Sequence, residues 1–139
     1  MKTQWDWIGA DLDGTLAEWH GWNGSIGLPV PSMVDRVLQL IDQGEIVKIF
    51  TARIYPIGTT EWNTPAALSL RGGPQEAYNQ LQQVQQWSQK YLGKILPVTC
   101  IKDPLMKYCL DDRAAQVIRN TGQLANPKGV ELALGVTYE

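Results

Sequence analysis

The sequence predicts an α/β fold, a doubly wound, mainly parallel sheet flanked by helices. Three observations predict it. Short apolar runs rich in Val and Ile alternate with segments whose apolar residues recur at helical spacing, the pattern of strands joined by crossovers. The runs lead into polar residues in succession: Asp11 and Asp13, then Thr51, then Lys102, then Asp111 and Asp112. Right-handed crossovers gather such positions at the carboxyl edge of a parallel sheet, where ligands bind. At 139 residues, with no repeat and no linker, positions 1–139 read as one domain.

Residues 5–10 form the first strand, which leads into Asp11. Residues 21–31 carry three glycines and two prolines and form a loop. A helix starts near Ser32, where Asp35 completes a variant of the capping box. Val34, Val37, Leu38 and Ile41 make its apolar stripe, and Gly44 ends it. Ile46–Phe50 is the next strand, followed by Thr51-Ala52-Arg53 and a turn-rich loop over 54–73. Pro74 opens a second helix with the stripe Tyr78, Leu81, Val84, Trp87 and Tyr91; its glutamines face water and Gly93 closes it. Residues 97–101 and 108–110 are the third and fourth strands, 114–119 a short helix, and 130–136 an edge strand.

Composition excludes several classes. An apolar share of 44% with 19% charged residues suits a globular domain. No apolar run approaches the ~18 residues of a membrane span, and no basic-then-apolar start predicts secretion. A net charge of -2 gives no general pull toward nucleic-acid backbones, which leaves a local basic groove open. Cys100 and Cys109 lie in apolar contexts that read as neighbouring strands; free buried thiols, and with them a cytoplasmic setting, are expected. Six tryptophans read first as packing material. Trp19, Trp22 and Trp62 fall in loops, where a stacking surface is the alternative.

The densest signal is Asp11-Leu12-Asp13-Gly14-Thr15. In a strand, side chains two apart share a face, so both carboxylates are expected in one small mouth. Held that close they cannot both ionise freely, which separates a base or nucleophile from an acid and invites a divalent cation. A calcium loop is excluded, because its sixth and twelfth positions would need Gly and Glu but hold Leu16 and Trp22. A plain Asp-Gly turn is the remaining alternative.

Four short motifs in order resemble the haloacid dehalogenase superfamily of phosphotransferases: Asp11-Leu12-Asp13-Gly14-Thr15, Ile49-Phe50-Thr51, Lys102, and Leu110-Asp111-Asp112-Arg113. Together they span nearly the whole chain, and the ending is similar to small nucleotidase-like, polynucleotide-phosphatase-like and phage-type members. The resemblance implies a Rossmann-like single domain, and the roughly fifteen residues 17–31 are too few for a large cap. It implies a phosphatase in which Asp11 attacks phosphorus and Asp13 serves as acid and then base. Thr51 and the amides around Leu12 and Asp13 would hold phosphoryl oxygens, and Lys102 would offset charge. Asp11, the Asp13 carbonyl, and Asp111 or Asp112 would bind Mg²⁺. An aspartate at position 13 favours phosphate hydrolysis over dehalogenation or ion pumping.

Lys107 competes with Lys102 for the third role. Strand alternation places Asp111 and Asp112 on opposite faces, so one of them is expected at the cation. Arg53 and Arg113 are open between phosphate binding and carboxylate pairing, and His20 reads as a polar loop residue. The expected partner is a phosphorylated small molecule, a nucleotide or a nucleic-acid end, with Trp19, Trp22, Tyr55 and Trp62 available to stack, and no membrane. The competing reading is a phosphate-binding regulatory or protein-interaction module with little turnover.

Overall fold

Trp7–Asp11 (β1) lies at the centre of a four-stranded, all-parallel sheet in the order β3-β2-β1-β4. The other strands are Ile46–Phe50 (β2), Val98–Thr99 (β3) and Met106–Leu110 (β4). A computed structural model describes residues 3–134 of the chain. Pro31–Asp42 (α1) joins β1 to β2; Pro65–Leu68 (α2) and Glu76–Leu92 (α3) lie between β2 and β3; Pro127–Leu134 (α4) follows β4.

α1 and α3 touch each other and pack on the same face of the sheet. Ile8, Ala10, Val47 and Ile49 point into that layer and meet Val34 and Val37 of α1 and Val84, Trp87 and Leu92 of α3. Val37 and Val84 are wholly buried; each such side chain contributes roughly 1.5–3 kcal/mol. The opposite face carries Trp7, also wholly buried although no helix packs against it among the described residues. The β3–β4 connection closes over its ring: the indole N–H donates to Asp103 Oδ1 at 2.8 Å, and the Trp7 amide donates to the Leu105 carbonyl at 2.9 Å. Lys48 Nζ stands 4.6 Å from the ring centre. Gly9 makes room for this layer, since a Cβ there would stand 3.1 Å from Cys109 Sγ and 3.2 Å from Met106 Cε.

Several expected boundaries move, each for a physical reason. Trp5 is 64% exposed in a turn in which Asp6 caps back on Thr3, so β1 begins at Trp7. Ser32 does not cap α1. Pro31 takes the first turn, and Val30 precedes it with no side-chain cap, its amide tied to the Leu16 carbonyl at 2.7 Å. The loop over 54–73 contains α2, capped by the Thr64 hydroxyl. In α3 the expected stripe is broken: Tyr78 is exposed and stacks on Trp62 with ring centres 5.6 Å apart, while Gln80 and Ser88 are buried instead. Ser88 Oγ donates to the Lys94 carbonyl and accepts the Leu96 amide, which fixes the turn from α3 into β3 behind left-handed Gly93.

No helix forms over 114–119. Left-handed Asn120 and Gly122 turn the chain back, and Val117 bridges Leu124 antiparallel. Within 130–136, residues 130–134 are helical rather than strand, and 135–136 lie outside the described residues. β3 and β4 occupy opposite edges, so Cys100 and Cys109 are not on neighbouring strands; both are free thiols.

Candidate functional site

Parallel register brings the strand ends together. Asp11 pairs with Phe50 across β1 and β2, and Ala10 with Leu110 across β1 and β4. Asp11, Thr51 and Asp111 therefore emerge at one edge. Beyond β1 the chain doubles back in a tight loop, with the Ala17 amide donating to the Leu12 carbonyl and the Gly14 amide to that of Ala17, both at 2.8 Å. Gly14 sits at φ +86°, and a Cβ there would overlap the Asp112 carboxylate, so glycine is required on both counts.

Asp11, Asp111 and Asp112 each place a carboxylate oxygen within 4.8 Å of the others. Asp11 is buried, and its carboxyl is pushed up to about 8. Burial is the main cause, followed by a hydrogen bond shared with Asp112 and the charges of Asp111 and Asp112; Arg113 pulls the other way. Thr15 ties the group together. Its hydroxyl lies 3.4 Å from Asp11 Oδ2 and 3.3 Å from Asp112 Oδ1, and it accepts the Asp112 amide at 3.2 Å. Three carboxylates clustered at this distance fit an oxygen-liganded divalent ion. Asp111 and Asp112 both reach the group, contrary to the alternation expected for them. β4 ends at Leu110, so the period of two no longer governs their side chains.

Asp13 lines the same cavity as Asp11 but stands outside the acidic group. Its carboxylate leaves the acidic group and pairs with Arg53 through two bonds, Nε to Oδ2 at 2.7 Å and Nη2 to Oδ1 at 2.8 Å. The chain has already left β1 at Asp13, so the shared face of a strand is lost. Arg53, with its side chain 3% exposed, also donates to Gln80 Oε1 at 3.0 Å and to the Ser25 carbonyl at 3.1 Å. Its guanidinium lies 4.7 Å from the centre of the Trp22 ring. Of the two roles open to Arg53, carboxylate pairing is the one observed.

Thr51 is buried at the end of β2; its amide donates to the Thr99 carbonyl and its hydroxyl accepts the Arg53 amide at 3.2 Å, capping the short turn Ala52–Ile54. Lys102 is exposed on the β3–β4 connection and forms no hydrogen bond or ion pair with the acidic group. Its charge is felt at Cys109, whose thiol burial pushes up to about 11, with Asp111 and Asp11 adding to the rise. Lys107 pairs with Glu45, which precedes β2, at the amino end of the sheet and away from the aspartates. His20 is exposed in its loop beside Glu18.

A cavity of about 440 Å³ opens beside this group, within the range of small-molecule sites. Asp11, Asp13, Asp112, Thr51 and Arg53 form its polar side, and Trp19, Trp22, Tyr55 and Leu70 its apolar side. Sequence reasoning missed Gln80, taken as part of a solvated glutamine face. The signal that finds it is its place three residues after Ala77 and four before Val84, on the buried face of α3. Thr15 as the link between Asp11 and Asp112 was legible only as part of a motif.

Fold and site together define a small α/β protein with an acidic pocket at the carboxyl edge of a parallel sheet. No protein-family model matches the chain, and neither a curated protein nor a solved structure matches it.

Proposed function

We propose that this chain is a Mg²⁺-dependent phosphomonoester hydrolase of the haloacid dehalogenase type, working through an aspartyl-phosphate. The observation that carries the reading is the convergence of Asp11, Asp111 and Asp112, one hundred residues apart in the chain, on one ion-sized space at the sheet edge. The strand order 3-2-1-4 supports a Rossmann-like form of the fold, in which ligands bind at that edge, with the β3–β4 connection in place of a helix on the second face. A reducing cytoplasm is the setting that suits two free thiols.

Asp11, Asp111 and Asp112 would hold the ion. Bound there, Mg²⁺ supplies the positive charge that lets Asp11 ionise despite its burial and its neighbours. In the first step an Asp11 carboxylate oxygen bonds to phosphorus as the ester P–O bond breaks, and the departing oxygen takes a proton from Asp13. In the second, Asp13 takes a proton from water while the water oxygen bonds to phosphorus and the Asp11–phosphorus bond breaks, releasing phosphate. Both Asp13 oxygens are held by Arg53 at rest. For the first step Asp13 must therefore have taken up a proton, with one oxygen freed from the guanidinium, and it regains that proton from water in the second step. Gln80 and Ser25 also accept from Arg53 and hold it meanwhile. Thr51, which lines the cavity, and the amides around Leu12 and Asp13 would hold phosphoryl oxygens, since those of Gly14 to Ala17 donate to loop carbonyls. Lys102 would supply the charge of the third motif.

The same Arg53 clamp favours a second reading, a phosphate-binding module with little turnover, because an acid/base tied at both oxygens is poorly placed to act. Phosphate release from an aryl phosphate, with Mg²⁺ and with EDTA, beside Asp11→Asn, separates the two. Mg²⁺-dependent release that the substitution abolishes supports the hydrolase. Equal, slow release by both proteins refutes it.

A further inference from the structure

The pocket has a second half that hydrolysis alone does not use. Trp19 and Trp22 are each 44% exposed, although a buried core lies close by. Their rings stand 6.5 Å apart, tilted by 53°, and both residues line the cavity that Asp11, Asp13 and Asp112 also line. Tyr55 and Leu70 continue this wall, with Arg71 and Arg113 at the lining. Trp22 is held in position by the Arg53 guanidinium, and Arg53 is held by Asp13 and Gln80, so the ring is preorganised rather than loose. Side by side in one cavity, the two half-exposed indoles offer apolar surface that a planar ring would cover.

We propose that this aromatic lining is a subsite for a nucleobase, so that the substrate is a mononucleotide: a phosphomonoester whose phosphate meets the aspartates while its base stacks on Trp19 beside the tilted ring of Trp22. The inference rests on the hydrolase reading for the phosphate and on the aromatic wall for the base. A cavity of about 440 Å³ has room for one nucleotide. The charge pattern agrees. A bound strand needs a track of cations along its backbone, whereas Arg71 and Arg113, beside the clamped Arg53, are the cations at the lining. Trp62 stacks on Tyr78 instead and lies outside the lining, so it takes no part in the subsite.

Two measurements test this. The first is phosphate release, in Mg²⁺, from the four common nucleoside 5′-monophosphates, from glycerol 1-phosphate, and from a 5′-phosphorylated and a 3′-phosphorylated oligonucleotide. Stacking of one base predicts kcat/KM at least tenfold higher for the mononucleotides than for glycerol phosphate. Trp19→Ala should raise KM for the nucleotides roughly tenfold and shrink that preference. The second is tryptophan emission of Asp11→Asn titrated with a nucleoside that carries no phosphate. Saturable quenching, weakened by Trp19→Ala, supports the subsite even if no phosphomonoester is turned over, an outcome that would sink the hydrolase reading alone. Hydrolysis with equal kcat/KM for glycerol phosphate and nucleotides, and a flat emission titration, overturns the subsite while leaving the hydrolase standing. Oligonucleotide ends preferred tenfold over mononucleotides also overturn it, in favour of a strand-end substrate.

Discussion

Asp112→Asn should stabilise the metal-free protein at neutral pH and remove its response to Mg²⁺. In the unfolded chain Asp11 ionises near 3.8; in the fold it keeps its proton up to about 8. Between those values the unfolded state has released a proton that the folded state retains, so the contribution of Asp11 to stability is greatest below pH 4 and falls as pH rises toward 8. At ~1.4 kcal/mol per unit, the loss by pH 7 is about 4 kcal/mol. Burial of Asp11 accounts for the larger part, and the neighbouring carboxylates for the rest. An amide at position 112 keeps an acceptor for Thr15 and for the Asp11 proton, and removes the charge that repels Asp111 and Asp11. The gain should be on the order of 1–2 kcal/mol, the repulsion between carboxylates a few ångströms apart at a partly solvated site, less the weakening of the hydrogen bond to Asp11. For a chain of this size that is a rise in Tm of roughly 3–6 °C. Thermal unfolding followed by circular dichroism in EDTA, at pH 4 and pH 7, reads the effect: the variant should melt above the wild type at pH 7, with the gap closing at pH 4. Mg²⁺ at a hundredfold excess over Kd should stabilise the wild type by about 2.7 kcal/mol and leave the variant nearly unmoved. A variant that melts below the wild type at pH 7 in EDTA, beside a wild type indifferent to Mg²⁺, would refute the claim that these carboxylates repel one another and share an ion.

Arg53→Ala should cost about 3–5 kcal/mol in urea unfolding, because it strands the Asp13 carboxylate and Gln80. Arg53→Lys should recover less than half of that, since an ammonium cannot bridge both Asp13 oxygens while bonding Gln80 and Ser25; full recovery would show that charge alone matters. Gly14→Ala should lose about 1–2 kcal/mol from the left-handed backbone alone, and by pushing on Asp112 it should also blunt the Mg²⁺-induced shift in Tm. Ser88→Ala leaves the buried Leu96 amide and the Lys94 carbonyl without their partner and should lower the urea midpoint by the equivalent of about 1–3 kcal/mol. An unchanged midpoint would mean that the turn into β3 is held by other contacts.

The sequence by itself determined the alternation of strands and helices, the identity of β1 and β2, and the acidic residues at the strand ends, because these depend on local period and on residue type. Val34, Val37 and Val84 at helical spacing mark their buried faces without reference to any partner. What it could not determine depended on neighbours far along the chain. Asp13 turns to Arg53, forty residues away, and not to Asp11 two residues away, because the chain leaves β1 before it and a bidentate guanidinium outcompetes a crowded acidic mouth. Gln80 is indistinguishable from its solvated neighbours until Arg53 is seen to need an acceptor inside α3. Both Asp111 and Asp112 reach Asp11 because β4 stops at Leu110, and where a strand stops is decided by its pairing partner. The residues past 111 turn on Asn120 and Gly122 rather than coil, since no packed face is there to stabilise a short helix. Local pattern set which residues were available; tertiary pairing decided which charges met, because electrostatic partners are chosen by distance in space and the sequence records only distance along the chain.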